Sequence, residues 1–335
     1  MFYEEICIHF QSVYPLEKVL CFSFNRVTEG NPSSPQESRL KFLANPNIKL
    51  AKFAGFCYGV KRAVDTVKKL KSDNPQKDVF VLGELIHNAF VIKELEELGI
   101  ITLNNISEIP QNASGYCVIR SHGAAPEIFE QLESTGLEIV DLTCPDVKKV
   151  QQKAIELAKN DYYVVIVGKA DHPEVEAIYA NARRWSENVS IIHNIEQIEP
   201  IKSTLKAHKK IGVVVQTTQR ISTLNKITSA LTAYAKELLI YNTICQSTSM
   251  RQQEAVELSE NSDLMLVVGS KNSANTTHLA EILANKVQTI HIQNTDELES
   301  YKKVIADSEE IGITAGASTP QSIIDNVIKY IKEDK

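Results

Sequence analysis

The chain has 335 residues, a length that suits two or three domains. Hydrophobic residues make up 43% and charged residues 23%, so composition supplies an ordinary soluble core. The net charge of −6 gives no basic footprint for nucleic acid, and no run is long and apolar enough to span a bilayer.

Residues 1–47 read differently from the rest. The start, MFYEEICIHF, is acidic and has no Lys or Arg ahead of an apolar core, so it is not a secretory signal. Nor is the segment Ser- and Arg-rich and poor in acids, as a plastid transit peptide would be. The patch EGNPSSPQES has turn and linker chemistry. These residues are expected to form a poorly ordered N-terminal extension. Six cysteines without dense spacing fit a reducing, cytoplasmic setting with thiols free for metal or catalysis.

A regular rhythm begins at IKLAKFAG. Strands are expected at VFVLG (79–83), CVIRS (117–121), LEIVDL (137–142), YYVVIVG (162–168), IGVVVQ (211–216), DLMLVVG (263–269), VQTIHI (287–292) and IGITAG (311–316). Helical patterns follow most of them: GVKRAVDTVKKL, AFVIKELEELG, DVKKVQQKAIELAKN, EVEAIYANA, RISTLNKITSALTAYAKEL, RQQEAVELSE, THLAEILAN and PQSIIDNVIKYIKE. Such alternation predicts α/β architecture with parallel sheets and helices on both faces. Three similar units are expected, at 48–140, 141–241 and 242–335.

In parallel α/β sheets, ligands bind beyond the carboxyl ends of the strands. The conspicuous polar residues fall there. Glu84 to Asn88 follow the first strand, and His122 and Gly123 the second. Lys169 to Glu174, Thr217 and Thr218, Ser270 to Asn275, and Ser318 with Thr319 follow later ones. Pro145, Pro173 and Pro320 suit the first turn of a helix. Helix N-termini with Ser, Thr and Asn attract anions, phosphate above all.

Three cysteines, Cys57, Cys144 and Cys245, each end a strand-like run just before a helix. Zinc ribbons and ferredoxins space neighbouring cysteines by a few residues, whereas here each unit would send one thiolate to a common centre. Three thiolates leave one metal position open, as an active site requires. Cys7, Cys21 and Cys117 read as small core hydrophobes. On the residues alone, an iron–sulfur cluster and a three-thiolate zinc hydrolase both fit. His87, His122 and His172 occupy equivalent places after strands and suit anion binding or proton delivery. His9, His193, His208, His278 and His291 have no such placement. Glu174, opening a helix, either complements the helix dipole or serves as a proton source. The run GSKNSANTTHL is Gly- and hydroxyl-rich, as expected around a phosphate, but lacks P-loop spacing.

Together, the segments AGFCYGVKRAV, GELIHN, RSHGA, DLTCPDVKKV, HPEVEA, VVQTTQ, TICQST, VVGSKNSANT and TAGAST closely resemble the family of 4-hydroxy-3-methylbut-2-enyl diphosphate reductases. They occur in the family's order and span residues about 49 to 330. The resemblance implies three α/β units around a pseudo-threefold axis with a central iron–sulfur cluster. It implies one [4Fe-4S] cluster on Cys57, Cys144 and Cys245, with a fourth iron left for the substrate. It further implies reduction of an allylic diphosphate with loss of water, in the last step of the non-mevalonate isoprenoid pathway, with electrons from ferredoxin or flavodoxin. His87, His122, His172, Ser273, Asn275 and Ser318 are implied as substrate ligands. Glu174 is implied as proton donor, His172 as a helper in proton passage, and Thr217 as the residue orienting the substrate hydroxyl. Two departures stand out. Ala274 replaces a frequent serine, leaving its backbone N–H and the nearby Thr276. GKADHPE replaces a loop that often has two glycines.

Overall fold

The structure is a computed structural model that describes residues 7–12 and 46–333. Two strands come from the start of the chain, β1 (Cys7–Ser12) and β2 (Asn47–Leu50). The rest of the expected extension lies outside the described residues, as does Cys21. A first sheet then forms from β3 (Asp78–Leu82), β4 (Ile100–Leu103), β5 (Gly115–Ile119) and β6 (Glu138–Asp141), in the order β4-β3-β5-β6. A second contains β7 (Tyr163–Val167), β8 (Val189–Ile192), β9 (Lys210–Val215) and β10 (Glu237–Asn242), in the order β8-β7-β9-β10, with β1 added beside β10. The third uses β11 (Leu264–Val268), β12 (Gln288–Ile292) and β13 (Glu310–Ala315), in the order β12-β11-β13-β2. Every pairing is parallel.

One strand order thus occurs three times. The central strands explain why the pattern is legible. YVVIV of β7 and LMLVV of β11 are buried at every position. Alternate residues enter two cores: Tyr163, Val165 and Val167 enter one, Val164 and Ile166 the other. Leu264, Leu266 and Val268 likewise oppose Met265 and Val267. Two-sided burial requires continuous apolar runs, and those runs are the local sequence signal.

The third sheet departs from expectation. Residues from 48 onward were expected to open the first unit, yet Asn47–Leu50 closes the last sheet beside β13. The Asn47 amide donates to the Glu310 carboxylate across 263 positions, and Lys49 pairs with Glu310 at 2.9 Å. A parallel partner so distant leaves no local trace. Strands β4 and β8 also lie outside the expected set. Both are four-residue sheet edges, too short for a clear alternation. The pattern RISTLNKITSALTAYAKEL reads as one helix. Its helix instead ends at Leu231, and Glu237 and Leu238 join β10, where pairing with β9 overrides helical propensity.

The shared topology gives the three cysteines equivalent places. Each follows the fourth strand of one sheet and caps a helix that packs on the next unit. Cys57 leaves β2 and caps Tyr58–Asp73, Cys144 leaves β6 and caps Pro145–Lys159, and Cys245 leaves β10 and caps Gln246–Ser259. Each cysteine N–H donates to a carbonyl in the loop after the adjacent strand. The acceptors are Ala317 O at 3.1 Å, Ser121 O at 2.9 Å and Thr217 O at 3.0 Å, respectively.

Gly316 shows how closely these loops pack. A Cβ there would lie 1.9 Å from Thr276 Oγ1 and 3.0 Å from Thr276 Cβ. Gly316→Ala is expected to cost about 1–3 kcal/mol in chemical denaturation, the usual scale for overpacking. An unchanged denaturation midpoint would contradict this close packing.

Candidate active site

All the candidate site residues line one cavity where the three sheets meet. Cys57, Cys144 and Cys245 share its wall with His87, His122, His172, Glu174, Thr217, Ser273, Ala274, Asn275 and Ser318. The repeated topology accounts for this meeting. Loops after β3 and β5 carry His87 and His122, the loops and helix starts after β7 and β9 carry His172, Glu174 and Thr217, and those after β11 and β13 carry the Ser and Asn residues. Equivalent positions therefore hold different chemistry.

The cysteines form a donor set without disulfides. Cys245 Sγ lies 3.1 Å from Thr248 Oγ1 and accepts from Thr248 N–H at 3.4 Å. Burial nevertheless pushes the Cys245 thiol up to about 12, and burial also raises Cys144. A metal-bearing group would offset that cost by stabilising the thiolates. Gly59 leaves room between two of them. A Cβ on Gly59 would lie 2.7 Å from Cys144 Sγ and 4.0 Å from Cys57 Sγ. Helix N-termini, converging thiols and a gap that any side chain would fill together suit a group taking three thiolates.

Supports around the thiols were absent from the sequence reading. Tyr58 Oη donates to the buried Asp146 Oδ2 at 2.6 Å and lies 3.9 Å from Cys144 Sγ. Burial, followed by the Asp146 bond, pushes the phenol far above its ordinary range. Arg251, only 2% exposed, donates to Phe53 O and, at 2.8 Å, to Ala315 O. Burial lowers its pKa, and thiolates at Cys57 and Cys245 would counter that. Arg251 thus places a cation near two of the three thiols. Its acceptor Phe53 O is 198 positions away, so no local pattern marks it.

The three imidazoles form a cluster. The His87 and His122 rings stack at 4.4 Å, and His172 meets them edge-on at 5.7 Å and 5.4 Å. Burial, then the neighbouring His87, lowers both His122 and His172, the latter to about 3. Each ring offers a nitrogen within 4.8 Å of the others, a spacing that a cation could bridge. The His172 tautomer favours an anion instead. His172 Nδ1 accepts from Glu174 N–H at 3.1 Å, so the neutral ring keeps its proton on Nε2 as a donor.

Glu174 is only 1% exposed. Burial raises its carboxyl to about 7, against the lowering effect of two Thr217 bonds. Thr217 N–H lies 2.6 Å from Oε1, and Thr217 Oγ1 lies 2.8 Å from Oε2. Across the cavity, Asn275 Oδ1 accepts from Thr248 Oγ1 at 3.4 Å, leaving its buried Nδ2 without a partner. Ser318 Oγ donates to His87 O at 3.3 Å, and Asn88 Nδ2 donates to Ser318 O at 2.9 Å, tying the first unit to the third. Ala274 begins the helix Ala274–Ala284 after Ser273 and lines the cavity. Thr276 supplies no replacement hydroxyl. It is fully buried against Gly269 and Gly316 and is absent from the cavity wall.

Outside the cavity, Cys117 is a core thiol, raised to about 11 by burial. His278 bonds Thr218 O at 2.9 Å, His291 bonds Gly269 O at 3.0 Å, and His208 bonds Thr204 O at 2.8 Å, all parts of the framework. Glu84, 3.0 Å from His87 Nδ1, was also missed as a site partner. Its Glu-x-x-His spacing is the sequence signal that could have found it.

Comparison with known proteins places the chain in a family. The profile described as LytB protein matches residues 48–332. The 4-hydroxy-3-methylbut-2-enyl diphosphate reductase of Citrifermentans bemidjiense is 41% identical over 285 residues, covering 84% of this chain and 95% of its own. That of Clostridium perfringens is 39% identical over 289 residues, covering 86% and 99%. A solved structure of (E)-4-hydroxy-3-methyl-but-2-enyl diphosphate reductase, the terminal enzyme of the non-mevalonate pathway, has a TM-score of 0.64 at 35% identity, with 86% of this chain and 99% of that one covered. The E-1-hydroxy-2-methyl-but-2-enyl-4-diphosphate reductase from Plasmodium falciparum has a TM-score of 0.77 at 26% identity, with 85% and 88% covered. With three sheets of one topology, a shared three-cysteine cavity and these matches along nearly its whole described length, the chain belongs to the LytB protein family.

Proposed function

We propose that this chain removes the hydroxyl of (E)-4-hydroxy-3-methylbut-2-enyl diphosphate, giving isopentenyl and dimethylallyl diphosphate. One observation carries the reading: three cysteines at helix N-cap positions share a cavity with a histidine cluster and a buried carboxyl of pKa about 7. The conversion takes up two electrons and two protons and releases one water. Cys57, Cys144 and Cys245 hold one [4Fe-4S] cluster, which supplies electrons one at a time from a ferredoxin- or flavodoxin-type donor.

The remaining residues bind the anion and manage protons. His87, His122 and His172 surround the diphosphate. Ser273, Asn275 and Ser318 add uncharged donors, and Ala274 adds a backbone N–H at a helix start. Asn275 Nδ2, buried without a partner, gains one in the diphosphate. Glu174 holds the proton. With a pKa of about 7, a large share of the carboxyls is protonated near neutral pH. Thr217 Oγ1 donates to Glu174 Oε2 in the structure; when the carboxyl is protonated this bond reverses, the carboxyl donates to Oγ1, and the threonine's own proton is freed for the substrate hydroxyl. His172 fixes the start of the Glu174 helix and so positions the carboxyl.

Cys144→Ser is expected to lose both bound iron and turnover. Gly59→Ala, which changes no ligand, should also lower iron content because its Cβ meets Cys144 Sγ. Normal iron in the Gly59 variant would remove the three thiols from a common cluster. Glu174→Gln can make both Thr217 bonds, so iron should stay and turnover should fall about 100-fold or more. Turnover of the unaltered chain should decline as pH rises through about 7, because Glu174 then loses its proton. A Gln variant with ordinary turnover would reject Glu174 as proton donor.

A further inference from the structure

Three imidazoles packed this closely cannot all hold a charge before an anion arrives, because like charges at that range oppose one another. Hydrogen bonding distinguishes the rings. His172 Nδ1 is occupied by the Glu174 N–H. His122 Nδ1 is buried and has no partner. His87 alone has a carboxylate at hydrogen-bond distance, with Glu84 Oε2 3.0 Å from Nδ1.

The tautomer matters here. An ionised carboxylate only accepts, so His87 Nδ1 carries a proton and donates it to Glu84. A neutral His87 would then turn a bare lone pair at Nε2 toward any anion. It can donate from Nε2 only as the imidazolium. Other groups around His87 are Arg120 and His122 after β5, and His172 and Glu176 after β7. Arg120 opposes a charge on His87, and Glu176 favours one without a hydrogen bond to it. Glu84, Arg120, Glu176 and His87 also line a neighbouring cavity of about 560 Å³, so this side of His87 faces a space separate from the thiols.

We propose that Glu84 makes His87 the charged member of the histidine cluster, so that the site meets its diphosphate with one imidazolium and two neutral N–H donors. This rests on the diphosphate reading of the cavity. Glu84 is a positioning residue that acts through His87. Its side chain is 50% exposed, which limits the size of its effect.

Glu84→Gln tests the charge alone, because its amide oxygen can still accept from Nδ1 and the exposed position leaves the fold intact. Inorganic pyrophosphate is the probe, with affinity measured by calorimetry on the full chain at about pH 8 and about pH 6. Glu84→Gln is expected to weaken binding about three- to tenfold at the higher pH and by less at the lower. In the loaded enzyme, KM should rise by a similar factor with little change in kcat. Glu176→Gln should bind pyrophosphate like the unaltered chain. Equal pyrophosphate affinities for Glu84→Gln and the unaltered chain at both pH values would overturn the proposal, as would an equal loss from Glu176→Gln. If the unaltered chain bound no pyrophosphate, the diphosphate reading would fall, and the role of Glu84 with it.

Discussion

The structure depends on one repeated interaction, a cysteine N–H donated to the loop beside it as the chain crosses from one sheet to the next. Three such bonds, at 3.1, 2.9 and 3.0 Å, place three thiols at the three crossings. Each crossing opens a helix, so each thiol lies at a positive helix end. No unit can build this centre alone. The cyclic arrangement closes because β2, from the front of the described chain, pairs with β13 near its end. A metal-bearing group held at these crossings would fasten all three units together, coupling its binding to the stability of the fold.

The cavity combines two electrostatic demands that oppose each other. A diphosphate needs positive charge, yet among the residues lining the cavity there is no Lys or Arg. Burial disfavours a charge on His122 and His172, and the same burial raises the Glu174 carboxyl to about 7. A dry pocket thus suits proton storage but is poor at anion attraction. Helix starts, an unpartnered amide on Asn275 and a charge placed on one histidine resolve the conflict without a lysine cage. Arg251 lies near Cys57 and Cys245 rather than among the histidines, so the two ends of the cavity have different fields.

Much of this was legible in the chain, for identifiable reasons. Central strands such as β7 and β11 are buried on both faces, so burial itself writes continuous apolar runs. The cysteines were recognisable because each follows a strand and precedes a helix. Edge strands β4 and β8 left no such mark, since four residues with one face partly exposed show little periodicity. Helical propensity concealed the start of β10, and only pairing with β9 decides it. The supports of the site were the least legible. Arg251 and Tyr58 work through partners in other segments, and Thr276 turns inward because Gly316 leaves a hole for it. A resemblance in motifs could suggest which residues meet, but not which way each one faces.

The most direct measurement is iron and acid-labile sulfide in the anaerobically purified chain, with its absorption spectrum. A brown protein with about four of each per chain is expected, as one four-iron cluster requires. A colourless protein that holds a single zinc, even after reconstitution with iron and sulfide, would contradict it. The three crossings would then hold a different metal, and the reductase reading would lose its source of electrons.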